Sequence, residues 1–423
     1  MVEEALAQSM TTRTRLSVLL ISTPLLAFIV LGAVRGKASD GDDTFQHLRV
    51  FEDVVSLILN NYVEDPKVDN VMEGAMRGLA DSLDPDSAYL TASEARSLAA
   101  PGCASVVPTS ACAGTPIGDV GIELTRQYYL RVIATRDDSP AEKAGLQTGD
   151  YVRAIDGKPA RDLSVFEGMR LLRGEPGTKV TLTIIRGNAA EPRQIDLVRE
   201  RAPGAIVTSK MLASDLGYIR IAAFGAGAAT KVQTQAAALA KQGATRLIVD
   251  IRRTAEGTFD TGIETARAFV KAGTLAQIAG RDPQAKATDK PSDKVAASAI
   301  TQTIAAKAGD GAIDLPVTLL VTTGTSGAAE LFAAALTGNK RADLIGERTL
   351  GRAGIQKLVK LPDGRGLWLT YARYLTPGGE LIQGRGLTPD LAVDEPDVDF
   401  GEPKPATDAI LDAAIARGKK TAA

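Results

Sequence analysis

From Leu216 onward the chain alternates short apolar strands with amphipathic helices, and this rhythm limits the fold more than any other feature. Gly217–Ile221 reads as a strand, Thr230–Lys241 as a helix and Arg246-Leu-Ile-Val-Asp-Ile251 as a buried strand. A helix at Gly262–Val270, a strand at Pro316–Val321 and a helix at Ala328–Leu336 follow. Strands that read as buried, alternating with helices, predict a mostly parallel sheet covered by helices. The lysine- and alanine-rich stretch Ala285–Gly311 reads as a surface excursion, and Asp408–Arg417 as a terminal helix. With 423 residues there is room for two or three domains, and a net charge of −2 offers no basic field for nucleic acid.

The N-terminal part has a different character. Leu16–Val34 is an uncharged apolar run of 19 residues flanked by Arg13, Arg15, Arg35 and Lys37, just long enough to span a bilayer. Gly36-Lys37-Ala38 is a poor cleavage site, so the run reads as an uncleaved signal anchor and transmembrane helix, with residues 1–15 as a tail. Ser39–Thr44 is a polar linker. A helical region over 45–100 follows, with apolar spacing from Phe45 through Tyr62 and further helices at Val71–Ser82 and Ala92–Ala99. His47 reads as a solvated or capping residue. Residues 101–117 form a linker holding Cys103 and Cys112, which in an oxidising compartment would close a ten-residue loop worth roughly 2–3 kcal/mol.

Residues 118–203 read as a small β domain: strands at Val120–Leu124 and Tyr129–Ala134, then a short capped helix at Ser139–Gly145. A strand at Tyr151–Ile155 turns at Asp156-Gly157, and a helix near Ser164–Leu172 precedes a strand at Lys179–Ile185. This order, with Gly118-Asp-Val-Gly-Ile-Glu-Leu124 and Gly149-Asp-Tyr-Val-Arg-Ala-Ile-Asp-Gly157, resembles a circularly permuted PDZ domain of the bacterial protease type. The resemblance implies a groove at Gly118, Val120, Gly121, Ile122 and Leu124 that adds a peptide as an extra strand and caps its carboxylate.

His47 is the chain's single histidine and there are only two cysteines, so multi-histidine zinc and four-thiolate sites are excluded, and no metal or cofactor is expected. A hydrolase built on this chain would need a base other than imidazole. The tight turn in Leu319-Leu-Val-Thr-Thr-Gly-Thr-Ser-Gly-Ala-Ala-Glu330 sets backbone amides at a helix N-terminus, where oxyanions are stabilised. With Leu344–Gln356 and Tyr374–Asp390, ending in Gly-Arg-Gly-Leu-Thr-Pro-Asp, it resembles the carboxyl-terminal processing (tail-specific) serine peptidase family. The resemblance runs from about Phe45 to Val393 and includes Leu83-Asp-Pro-Asp-Ser87. It implies an α/β (α+β multidomain) architecture of N-terminal helices, a PDZ-like β domain, a mostly parallel peptidase-like core over 204–398, and a C-terminal tail and helix over 399–423. It also implies export, a serine nucleophile and a lysine base.

At the chemistry the match fails. The family's turn reads Gly-Ser-Ala-Ser-Ala-Ser-Glu with the middle serine as nucleophile; here Gly324-Thr-Ser-Gly-Ala-Ala-Glu330 puts Gly327 there. The family's lysine lies 25 residues on in a Gly-Lys-Gly-x-x-Gln context; the segment Gly351-Arg-Ala-Gly-Ile-Gln356 makes it Arg352 and keeps Gln356. The oxyanion-hole motif has degenerated to Asp250-Ile-Arg-Arg-Thr-Ala-Glu-Gly257, so Gly257 and Ala328 are the expected donors. Arginine stays protonated where a buried lysine can be tuned to act as a base. Arg352 is therefore expected to bind a carboxylate instead, in a fork suited to a peptide C-terminus. Ser326 reads as a helix N-cap bonding Ala328 or Ala329, or else as a re-registered nucleophile with Lys357 as a displaced base. The resemblance implies exported domains, so the anchor read at 16–34 is expected to be a single-pass inner-membrane helix with the C-terminal domains in the periplasm or extracytoplasmic space. The expected partners are polypeptide C-terminal tails; the helices at both ends suggest homodimer surfaces, and a subunit of a membrane complex is a further reading that no sequence feature speaks for directly.

Overall fold

The computed structural model describes residues 40–99, 118–187, 191–201, 206–281, 299–396, 398 and 405–421. The apolar run 16–34 and both cysteines lie outside the described residues. Among the described residues no helix is long and apolar enough to cross a membrane. The chain divides into two compact units, residues 1–73 with 287–295, and residues 74–286 with 296–423. In the first, α1 (Asp40–Asn61) begins where a polar linker was expected. Its Leu48, Val54 and Leu57 are exposed. Helix α2 (Val68–Asp81) leads into the second unit.

There a short strand β1 (Ala88–Leu90) and helix α3 (Ala92–Ala99) precede the β domain. Strand β2 (Gly118–Asp119) is followed by β3 (Ile122–Gln127) and β4 (Tyr129–Thr135). Helix α4 (Pro140–Lys143) is capped by Ser139, whose side chain accepts the Glu142 amide. Strands β5 (Tyr151–Ile155) and β6 (Lys158–Pro159) meet at Asp156-Gly157, with φ of 48° and 77°. Two left-handed residues in a row make the tight hairpin expected of an Asp-Gly pair. Helix α5 (Val165–Leu172) starts in a full Ser164–Glu167 capping box. Strands β7 (Lys179–Ile185), β8 (Arg193–Val198) and β9 (Glu200–Arg201) complete the domain. The sheet runs β3-β4-β5-β7-β8 with β6 on β5, so β3 is an edge strand.

The core is built on a second sheet ordered β10-β11-β12-β15-β16-β19. Its members are β10 (Ile206–Ala213), β11 (Leu216–Ala223), β12 (Arg246–Asp250), β15 (Val317–Val321), β16 (Ala342–Gly346) and β19 (Leu391–Ala392). All but β10 run parallel, as the apolar strands predict. Helices α6 (Ala228–Lys241), α7 (Phe259–Arg267) and α8 (Ala328–Gly338) cover one face. Phe332 packs there between Phe224 and Phe269, with ring centroids 5.4 and 5.6 Å away. Helix α9 (Ala409–Thr421) covers the other face through Ile410 and Ala414, against Leu216, Ile248, Leu320 and Ile345.

A third sheet was not expected. It is ordered β1-β18-β13-β14 with β17 on β18, from β13 (Thr274–Arg281), β14 (Ala299–Ala305), β17 (Gly354–Lys360) and β18 (Gly366–Leu375). The stretch read as a surface excursion therefore carries a strand, β14, paired to β13 along its length. Its alternation of small and polar residues in Ala299-Ile-Thr-Gln-Thr-Ile-Ala305 is a weak period-2 signal hidden by the lysine-rich flank.

Candidate active site

Strand β15 runs into a turn that is stitched to the end of β12. The Thr325 hydroxyl donates to the Ile251 carbonyl at 2.8 Å, and the Ser326 amide donates to the Thr254 carbonyl at 3.0 Å. The Arg253 amide donates to the Thr322 hydroxyl at 3.1 Å. These bonds force a sharp elbow. Gly327 sits at its apex with φ 63° and ψ −119°, and it is Gly327, not Ser326, that caps α8. A Cβ added at Gly327 would meet only the Ala255 carbonyl, at 3.9 Å. The backbone therefore adopts a strained strand-to-helix turn of the kind that presents a nucleophile, with space for a side chain and none present.

Ser326 points elsewhere. It is fully buried and its hydroxyl has no hydrogen-bond partner, so the expected N-cap is absent and Lys357 is not bonded to it. Ala328 opens α8, which leaves its amide in the unsatisfied first turn. Gly257 stands beside Phe224, where φ of 135° and a Cβ clash at 2.5 Å admit only glycine.

A buried carboxylate organises what surrounds the elbow. Glu330 accepts the amides of Gly327 (3.2 Å), Gly351 (2.6 Å) and Arg352 (2.7 Å), and a short bond from the Thr349 hydroxyl. Burial pushes its carboxyl up to about 7 against the pull of these four donors.

Arg352 corrects the expectation of a carboxylate clamp for peptides. Its guanidinium is already spent. Nε pairs with Asp86 at 3.1 Å, Nη1 with Glu123 at 3.6 Å, and Nη2 donates to the Leu124 carbonyl at 2.6 Å. Arg352 is 6% exposed, so these contacts are made away from water. Gln356 keeps its place, donating from Nε2 to Thr370 at 3.2 Å, while its buried Oε1 has no partner. Burial also pushes the Glu123 carboxyl up to about 7, although Arg352 and Arg173 draw it down.

The expected peptide-binding residues lie together beside this site, joined to it where Arg352 reaches the Leu124 carbonyl. Val120 and Leu124 are fully buried, and Ile122 nearly so. Gly118 exchanges backbone bonds with Gly174, and the Gly121 amide donates to the Asp119 carboxylate at 3.0 Å. Arg136 joins this loop to the core, pairing with Asp119 at 2.7 Å and with Glu256 at 3.1 Å. The space among Asp119–Glu123, Arg173, Ala255 and Glu256 is a cavity of about 20 Å³. Asp86, Glu123, Arg136 and Glu330 escaped the sequence reading as site residues. The only hint was the Leu83–Ser87 turn, where Asp84 caps the Asp86 and Ser87 amides at 2.9 and 2.8 Å and so presents Asp86.

A parallel sheet with a nucleophile-type elbow at the end of β15, joined to an edge-strand β domain, defines a serine-peptidase scaffold carrying a peptide-binding module. Residues 131–186 match the PDZ domain model, and residues 215–393 match that of Peptidase family S41. The chain is 30% identical over 377 residues to a carboxy-terminal-processing protease of Bartonella bacilliformis, covering 88% of this chain and 81% of that one. It is 34% identical over 306 residues to a carboxyl-terminal-processing protease of Synechocystis sp., covering 71% and 68%. Among solved structures, a photosystem II D1 C-terminal processing protease superposes with a TM-score of 0.61 at 27% identity, covering 79% of this chain and 85% of that one. The chain belongs to peptidase family S41, among the carboxyl-terminal processing proteases with an inserted PDZ domain.

Proposed function

We propose that this protein binds polypeptide C-terminal tails through its PDZ domain and has lost proteolytic chemistry. The observation that carries the reading is the elbow at Gly327, which holds a nucleophile's backbone geometry without a nucleophile. The side chain at the base position supports it, since Arg352 is ion-paired to Asp86 and Glu123 and cannot accept a proton. The rival reading, an active endopeptidase using Ser326, requires a base beside a hydroxyl that has no hydrogen-bond partner. We place the protein in the periplasm on a single-pass inner-membrane anchor at residues 16–34, with Cys103 and Cys112 bonded there. Its partners include a second copy of the chain or the other subunits of a membrane complex.

The test is a titration of the full-length chain with labelled peptides ending in apolar residues, with free or amidated C-termini. Tail capture predicts binding of the free carboxylate at least about tenfold tighter, as expected when a buried charge-assisted contact is lost. Equal affinity for the two forms sinks the reading.

A further inference from the structure

Strand addition to a PDZ-type sheet needs an edge strand with free backbone groups, and β3 is that edge. Which groups face outward follows from its neighbour. Leu124 lies opposite Val132, but the Val132 amide donates to the Asp150 carbonyl and the Val132 carbonyl accepts the Gly149 amide, each at 2.8 Å. Both Val132 groups are thus turned toward β5. The Leu124–Val132 pair is of the non-hydrogen-bonded kind, so the Leu124 amide and carbonyl face the open edge.

That carbonyl is occupied. Arg352 Nη2 donates to it at 2.6 Å while Asp86 and Glu123 hold the rest of the guanidinium. At the other end of the same groove, the Gly121 amide already has a carboxylate, that of Asp119. Beside the loop there is little room, a cavity of about 20 Å³, and Phe166 of α5 packs on Trp368 of β18 with ring centroids 6.3 Å apart.

We propose that Arg352 is an intrachain occupant of the PDZ edge, standing where an incoming tail's backbone amide would bond, so that tail binding and the docked Arg352 exclude each other. This rests on the reading that the PDZ domain binds tails. The residue at the base position thereby becomes a latch between core and PDZ domain. A tail binds the fraction of molecules in which the latch is open, and its apparent affinity is lowered by that fraction. The latch is selective for strand-forming ligands, because only a donor aimed at the Leu124 carbonyl competes with Nη2.

The experiment titrates the full-length chain, wild type, Arg352→Ala and Asp86→Asn, with a fluorescein-labelled peptide having an apolar C-terminus and a free carboxylate. Circular dichroism checks that each variant is folded. Arg352→Ala is expected to bind about tenfold more tightly or better, and Asp86→Asn, which keeps the arginine but loosens its seat, by about threefold. The second variant carries the test if removing Arg352 from two buried carboxylates unfolds the chain. Equal affinities for wild type and every folded variant overturn the latch and leave tail binding standing. No binding by any of them, in either peptide form, removes the tail-binding reading and the latch with it.

Discussion

Gly327 and Arg352, the positions we propose for the family's nucleophile and base, hang from one oxygen: Glu330 Oε2 accepts the Gly327 amide at 3.2 Å and the Arg352 amide at 2.7 Å. On the proposed reading, this carboxylate holds the nucleophile position in register with the base position. With Thr349 and Gly351 also bonded to Glu330, the loss of this carboxylate strands several buried donors.

Glu330→Gln therefore tests the frame. The amide group points a donor at donors, and the expected cost is about 3 kcal/mol or more in urea unfolding. A loss under about 1 kcal/mol contradicts the role assigned to Glu330.

Stability also depends on pH in a stated direction. Burial lifts Glu123 and Glu330 from 4.5 to about 7. Around Glu123, Arg352 and Arg173 oppose the lift while Glu256 and Asp119 add to it; around Glu330, bonds from Thr349, Arg352, Gly351 and Gly327 oppose it. Between those values the native state binds more protons than the unfolded chain, so its stability falls as pH rises. The contribution is full below 4.5 and lost above about 7. The urea midpoint is expected to be higher near about pH 6 than near about pH 8.5, with Glu123→Gln flattening the difference. A midpoint that rises over this range contradicts the assignment.

Gly121 tests the carboxylate loop. Its φ of 73° and a Cβ that would lie 2.2 Å from that of Ser139 mean that Gly121→Ala must displace the loop or α4. The expected outcome is at least about tenfold weaker tail binding, since a strained, displaced loop loses its aligned amides. Unchanged affinity in a folded variant places the carboxylate elsewhere.

Much of this was legible in the residues themselves. The apolar runs Leu247–Val249 and Leu319–Val321 declare a doubly covered parallel sheet, and Ser164 with Glu167 marks a helix start. The elbow's vacancy follows from Gly327 alone. What stayed hidden depends on tertiary contact. The partners of Arg352 lie at 86, 123 and 124, far along the chain, and no local pattern joins them. The same holds for Ser326, whose hydroxyl is turned into the interior by the bond from its amide to Thr254. Strands β13 and β14 are masked by composition, because small and polar residues pair there as readily as apolar ones.

The central claim is tested most directly by cleavage of a fluorogenic peptide with a free apolar C-terminus. The wild-type chain is expected to leave it intact, and Gly327→Ser combined with Arg352→Lys to gain cleavage that neither change gives alone. The Cβ of the added serine finds open space, 3.9 Å from the Ala255 carbonyl. Cleavage by the wild-type chain that disappears with Ser326→Ala would contradict the account.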